Sequence, residues 1–362
     1  MIITGLRGVG KTVLLNEFAE IARGAKWEVV ELEASKYDDS RFRQTMFTQL
    51  KAVLLRLSPR VRWSDRSRRA AEVLSAFGAS LDSSGAFSVS WDIPPAEGVA
   101  DHGDLGMDLT DTLLAVGDAA KEQGRGVALL IDEVQFLRSS QLEALIQAIH
   151  KTVQRKLPIT LVGAGLPQIA ELAGDAKSYA ERLFNFPRID SLNDSDAREA
   201  LEEPAKLEGV NYSAGALELA MQITRGYPYF IQELGYQVWD VAEGDGITEE
   251  DVRVAQEAYE AKLDASFFRV RLDRATPLQT AYMRAMAQLG PEPQKAADVA
   301  RVMERDSTQL GPTRAELIDM GLLYTPEHGY AAFTVPDFDK FMLRAVPELV
   351  IPAVQKRKNR SN

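Results

Sequence analysis

The segment Gly5-Leu6-Arg7-Gly8-Val9-Gly10-Lys11-Thr12 puts three glycines, a lysine and a hydroxyl into eight residues. Glycine lets the backbone wrap an anion, so that successive amides and the positive end of the following helix point at phosphate oxygens. Lys11 adds a point charge for the β- and γ-phosphates, and the Thr12 hydroxyl is a hard oxygen suited to Mg²⁺. With the Val13 amide that opens the helix, Gly5–Val13 is the expected nucleotide cradle. The context is the one this chemistry demands. An apolar Ile2-Ile3 precedes the turn and an amphipathic helix pattern, Val13, Leu14, Leu15, Phe18 and Ile21, follows it. A glycine-rich strand-to-helix turn matching by chance is the alternative.

A second chemical signal stands 121 residues after Lys11, where the strand-like Val127-Ala-Leu-Leu-Ile131 closes on Asp132-Glu133. Asp132 is expected to hold Mg²⁺ through water, and Glu133 to orient and polarise the attacking water of a phosphoryl transfer. The plain alternative is a polar strand end that caps the next helix. The metal reading requires the carboxylates to lie within roughly 10 Å of the Thr12 hydroxyl, the reach of a hydrated ion. The strand ending Gly163-Ala-Gly165 offers no polar side chain to sense a γ-phosphate, so slow hydrolysis is expected. Arg182, in Ser178-Tyr-Ala-Glu-Arg-Leu-Phe184, and Arg188, in Phe186-Pro-Arg-Ile189, are candidates for an arginine finger reaching a neighbouring subunit. Either could instead be an exposed or salt-bridged arginine.

These residues need a parallel sheet to position them. The pattern predicts strands at 1–4, 27–32, 127–131, 159–162 and 186–189, alternating with helices at 39–57, 108–120 and 140–153, the signature of an α/β sheet. Between Ser58 and Asp108 it loosens. Alternation at Phe77, Ala79 and Leu81 and again at Phe87, Val89 and Trp91, about a Ser/Gly-rich turn, predicts an inserted hairpin over about 77–92. The Arg60, Arg62, Arg66, Arg68 and Arg69 cluster is expected on a solvated face.

From Asp194 helical patterns take over, at 194–207, 213–224, 228–242 and 249–263, the size of a lid. Gly226-Tyr-Pro-Tyr-Phe230 starts one of these helices with Pro228 in its first turn. Its aromatics are expected to pack the lid, with Arg225 facing solvent. After Thr276-Pro277 come helices at 279–289, 295–303 and about 310–320, the last with Pro312 in its first turn. Strand-like segments then flank a turn at 326–329, the layout of a winged helix. The polar face of the third of these helices, Gln309, Thr313, Arg314, Glu316 and Asp319, is weakly basic for duplex binding, which leaves DNA or protein as its partner.

Composition narrows the class further. At 362 residues, 45% hydrophobic and 26% charged, the chain has globular proportions and room for two or three units. There is no Cys and there are three scattered His, which excludes disulfides and opposes a zinc site. The net charge of −11 opposes general nucleic-acid coating. From Ala275 onward eleven basic residues meet ten acidic ones, so the C-terminal unit differs from the rest. No run approaches the length of a membrane span and no secretory signal is evident, so a cytoplasmic protein is expected.

Taken together the chain resembles bacterial AAA-family ATPases with an origin-recognition-like ATPase domain, a branch similar to the STAND group of regulatory NTPases. The resemblance rests on Thr4–Leu15, Leu130-Ile-Asp-Glu-Val-Gln135, Gly163-Ala-Gly-Leu-Pro167, Ser178–Phe184 and Gly226–Phe230. It implies a P-loop three-layer core over 1–190 with strand order 5-1-4-3-2, a helical lid over 191–265, a winged helix over 275–350 and a basic tail over 351–362. It implies ATP and Mg²⁺ as ligands, self-association, and either ATP-driven switching, a nucleotide-gated DNA regulator or replication and transposition helper, or a STAND-like scaffold. Proline where most AAA+ lids carry a sensing arginine is similar to the STAND arrangement. The family's adenine-contacting segment before the first strand is not expected here, since that strand begins at Met1.

Overall fold

The computed structural model describes residues 1–36, 38–58, 63–79 and 93–352. The chain divides into two compact units: Met1–Gly5 with Gly10–Ile189, and Leu6–Val9 with the chain from Asp190 onward.

The first unit grows from short apolar strands that are buried on both faces. β1 (Ile2–Thr4) leads through the glycine turn into α1 (Lys11–Gly24) and then β2 (Glu28–Glu33). Three helices follow, α2 (Asp39–Leu57), α3 (Asp65–Ala79) and α4 (Leu105–Glu122). β3 (Val127–Asp132) precedes α5 (Ser139–Gln154), β4 (Ile159–Gly165) and the short α6 (Ile169–Ala176) and α7 (Ala180–Leu183). The strands pair in parallel in the order β1-β4-β3-β2. Alternation along β3 sends Val127, Leu129 and Ile131 to one face, under helices that include α2 to α5, and Ala128 and Leu130 to the other, against α1. Parallel strands need such crossover helices, and they give the unit three layers.

Two expectations require correction. The fifth strand at 186–189 is not a strand. The amides of Ile2 and Thr4 donate to the carbonyls of Asn185 and Pro187, and Ile189 donates to Thr4, but only Thr4 and Arg188 form a bridge. The bond that would extend this ladder, from residue 187 to the Ile2 carbonyl, has no donor, because Pro187 lacks an N–H. The inserted hairpin is likewise displaced. Phe77 and Ala79 belong to α3, whose Ala70, Val73, Leu74 and Phe77 repeat at helical spacing and are buried. Close packing fixes this helix: a Cβ at Gly78 would lie 2.8 Å from the Phe47 ring. The remainder of the expected hairpin, 80–92, lies outside the described residues, as do Arg60, Arg62 and the basic tail from 353. Arg66, Arg68 and Arg69 are exposed on α3. A buried ion pair, Arg43 to Asp108 at 2.7 Å, ties α2 to α4.

The second unit is mostly helical. α8 (Asp194–Leu207), β5 (Asn211–Tyr212), α9 (Ala214–Thr224), α10 (Pro228–Val241), β6 (Gly246–Ile247) and α11 (Glu249–Lys262) come first. Side-chain caps start several of these helices; Asn193, Ser213 and Thr248 each accept from an amide three residues on. A π-helical turn, Leu263–Phe268, then turns Phe267 and Phe268 inward ahead of α12 (Arg269–Leu272). Tyr229 stacks on Phe267 at 4.2 Å and Phe341 on Phe268 at 5.2 Å, so aromatic packing spans the unit.

Next come α13 (Pro277–Leu289), β7 (Gln294–Lys295), α14 (Ala296–Val302), α15 (Ser307–Asp319), β8 (Leu323–Tyr324), β9 (Tyr330–Phe333) and α16 (Phe338–Ala345). The three strands form an antiparallel sheet in the order β7-β9-β8. α15 starts earlier than expected, because Asp306 caps it by accepting from the Thr308 amide. Pro312 therefore sits inside this helix rather than in its first turn. Among the described residues no helix is long and apolar enough to cross a membrane.

Candidate functional site

In the first unit, β1 delivers the chain to Gly5, whose amide donates to the Gly165 carbonyl at 3.2 Å, and α1 starts directly at Lys11. Gly10 is the cap of that helix, with φ +92, a left-handed backbone that β-carbon-bearing residues rarely adopt. Lys11 is buried, its Nζ donating to the Gly5 carbonyl at 3.1 Å. An ammonium at the first position of this helix puts a positive charge beside the glycine turn.

The decisive distance is that between the two sequence signals. The Thr12 hydroxyl donates to Asp132 Oδ2 at 2.5 Å, far inside the span of a hydrated ion. Parallel order explains the meeting: residues leaving the same edge of β1 and β3 are gathered at the carboxyl ends of the strands. Asp132 Oδ1 accepts from the Glu133 amide at 2.8 Å. Glu133 itself is a left-handed residue, φ +53, so the chain turns sharply out of β3 and into the 3-10 turn Val134–Phe136. A positive φ on a non-glycine residue costs energy and is a mark of functional corners.

One residue of this corner had no role assigned from sequence. Gln135 donates from Nε2 to Glu133 Oε2, while its Oε1 accepts from the Leu166 amide at 3.0 Å. It thereby ties the Glu133 carboxylate to the end of β4. Gly165 makes room for it, since a Cβ there would lie 2.7 Å from Gln135 Oε1. The available signal was Gln135's place in the motif beginning at Leu130.

Arg182 and Arg188 are both exposed, on α7 and at the bridge to Thr4 respectively. They are not brought together with Lys11 by any shared element. Val13 is exposed on the first turn of α1. Within the second unit, the middle of the glycine turn is held by backbone contacts. The Tyr227 hydroxyl donates to the Arg7 carbonyl, the Tyr229 amide to Gly8 at 3.1 Å, and the Arg7 amide to Thr334 at 3.1 Å. A Cβ at Gly8, whose φ is +88, would lie 3.0 Å from Tyr229 Cβ. Burial drives the Tyr227 hydroxyl pKa upward, aided by the charge of Asp190, so it remains a donor. Arg225 does not simply face solvent: it pairs with Asp337 across the unit.

Residues 1–162 match the family described as the AAA ATPase domain. The chain carries an AAA+ P-loop ATPase domain. Residues 265–342 match a second family, a domain of unknown function designated DUF8462. Among solved structures, the Walker-type ATPase of Pyrococcus abyssi is 14% identical over 94% of this chain and 90% of that one, with a TM-score of 0.57, which shows a shared fold. The RuvB Holliday junction branch migration motor of Thermotoga maritima is 16% identical over 91% and 83%, at 0.45. The Aeropyrum pernix ORC1 protein, solved with DNA, is 14% identical over 96% and 86%, at 0.44. At those two scores the likeness carries no argument. No curated protein matches the chain.

The ATPase domain's donor set fits magnesium. Thr12 and Asp132 contribute hard oxygens at one point, and among the described residues no group of three acidic or histidine side chains could cage an ion alone. Magnesium suits such a sparse set, because it retains waters and takes further oxygens from phosphate.

Proposed function

We propose that this chain binds ATP with magnesium at Gly5–Val13 and hydrolyses it slowly, using the nucleotide state as a switch. The observation that supports this most is the 2.5 Å bond between Thr12 and Asp132, where one cation can engage both oxygens. Bound magnesium would neutralise charge on the β- and γ-phosphate oxygens. The amides of Gly5, Leu6, Arg7, Gly8, Val9, Gly10, Lys11, Thr12 and Val13 are the proposed cradle, and Lys11 adds its charge toward the same oxygens. Glu133 accepts a proton from the attacking water, and Gln135 fixes the direction of its carboxylate. Arg182 is the proposed finger toward a neighbouring copy on self-association, with Arg188 the other candidate.

The switch follows from where the glycine turn belongs. Leu6–Val9 sits in the second unit, bonded there through Tyr227, Tyr229 and Thr334. A change in the turn on gaining or losing a phosphate is therefore felt directly by residues 191–265, read as a lid, and 275–350, read as a winged helix. A protein partner suits α15 better than duplex DNA. Thr313 is buried and Glu316 accepts from Gln279 at 2.8 Å, so little of the polar face remains to neutralise phosphates.

Turnover of ATP by Glu133→Gln tests the reading. Nucleotide binding should persist while hydrolysis collapses; unchanged turnover would remove Glu133 from the chemistry.

A further inference from the structure

Helices α8 and α10 of the second unit pack on each other beside a cavity of about 440 Å³. Leu201, Pro204 and Ala205 border it from α8, and Ile231, Gly235 and Trp239 from α10. Positions 231, 235 and 239 recur every four residues, so they form one stripe of α10. Gly235 leaves that stripe open: a Cβ there would meet only Leu201 Cδ2, at 4.0 Å. Pro204 lies inside α8 without an N–H, so the Ala200 carbonyl, also on the cavity wall, loses its usual helical donor. The Tyr212 hydroxyl belongs to another bordering residue, and burial pushes its pKa up to about 12, so it adds no charge.

Large apolar side chains at this border stand in water. Trp239 is 46% exposed and Tyr236, which also borders the cavity, 62%. Tryptophan and tyrosine beside a preformed apolar groove are the residue types that anchor protein interfaces. The flanks of the groove are acidic. Together α8, its cap Glu208 and α10 hold eight Asp and Glu against two basic residues, and α10 has no Lys or Arg. Both basic residues are already engaged, Arg198 with Glu218 at 2.8 Å and Lys206 with Glu202 at 3.4 Å. Glu199, Glu208 and Asp240 are exposed.

We propose that this groove docks a basic amphipathic helix of a partner protein, with apolar side chains of that helix entering the cavity and its Lys and Arg facing the acidic flanks. From Ile231 to Trp239 the stripe runs about 12 Å, roughly two helical turns. A helix with bulky apolar residues at i, i+3, i+4 and i+7 covers that length. Apolar burial supplies the affinity, and the acidic flanks select a basic helix over an acidic one of the same apolar pattern. The interaction does not depend on whether the chain hydrolyses ATP.

The probe is a fluorescein-labelled synthetic helix of about 15 residues, with Leu at that spacing and Lys on the opposite face, titrated with the full-length protein by anisotropy at about 0.15 M salt. The wild type should bind it with a Kd in roughly the micromolar range, and a peptide with Glu in place of Lys about 10-fold or more weakly. Gly235→Leu fills the groove and replaces a glycine within a helix, so its Tm should not fall while its affinity for the Lys peptide drops about 10-fold or more. Trp239→Ala, at a half-exposed position that the fold tolerates, should lose affinity by a similar factor, and it decides the matter if Gly235→Leu is unstable. Four results would overturn this assignment: no binding of the Lys peptide by the wild type, equal binding of the Lys and Glu peptides, wild-type affinity in a folded Gly235→Leu or in Trp239→Ala, or a wild-type dimer that Gly235→Leu returns to monomer, which would give the groove to a second copy of this chain.

Discussion

The corner at Thr12, Asp132 and Glu133 is assembled from the carboxyl ends of strands in one parallel sheet, whereas the corner at Arg7, Arg271 and Arg274 draws its members from two distant stretches of chain. The first carries the negative charge of Asp132 and Glu133. The second carries positive charge. Each is held by glycines at close approaches, Gly165 beneath Gln135 and Gly321 beneath Arg7. The difference is in what sets the geometry. Strand pairing fixes the acidic corner to within a hydrogen bond, while the basic one depends on side-chain packing against Phe267 and a turn.

The contrast can be broken most sharply at Glu133. If the acidic corner performs chemistry and not only binding, Glu133→Gln lowers the hydrolysis rate by about 10²- to 10⁴-fold with nucleotide affinity nearly constant. Steady-state phosphate release beside a fluorescent-nucleotide titration separates the two quantities. Lys11→Ala comes next. Losing a charged donor to phosphate costs roughly 1.5 to 3 kcal/mol, or about 10- to 100-fold in affinity for ATP, read by a fluorescent-nucleotide titration.

Gln135→Leu sharpens the same corner more gently. It removes the tie between Glu133 and Leu166, so turnover should fall about 10-fold while Kd for ATP stays put. A fall in both together would mean that Gln135 shapes the fold rather than the carboxylate.

The smallest effect belongs to the ion pair of Arg225 with Asp337. Arg225 and Asp337 are partly solvent-exposed, so Arg225→Ala should cost no more than about 1 kcal/mol of stability. Burial pushes the Asp337 carboxyl up, but hydrogen bonds and charge from Lys340 and Arg225 outweigh it, and the net pKa is lowered. A depressed folded-state pKa gives stabilisation that is present above the unfolded value and lost as pH falls through the folded one. The Tm gap between wild type and Asp337→Asn should therefore close below about pH 4.

Much of the ATPase half is legible because its signals are local. The glycine turn needs a strand before it and a helix after it, and both are written in the adjacent residues as apolar pattern. The same holds for β3 and its terminal acids, and for α8, α9 and α11 with their Asn193, Ser213 and Thr248 caps. The places where pattern misled are ones where a single residue competes with it. Pro187 removes the donor a fifth strand needs, and Phe77 fits a period of two as readily as the helical face it occupies. Asp306 captures the start of α15 ahead of Pro312.

By itself the sequence determined that a glycine-rich strand-to-helix turn and a carboxylate pair at a strand end exist, because each is contiguous and follows from the apolar pattern beside it. Only the tertiary structure decided that Thr12 touches Asp132, that Gln135 steers Glu133, and that Arg7 meets Arg271 and Arg274. Those are contacts across more than a hundred residues or through a turn of unusual backbone, and a linear pattern holds no information on which distant side chains a packed core brings within bonding distance.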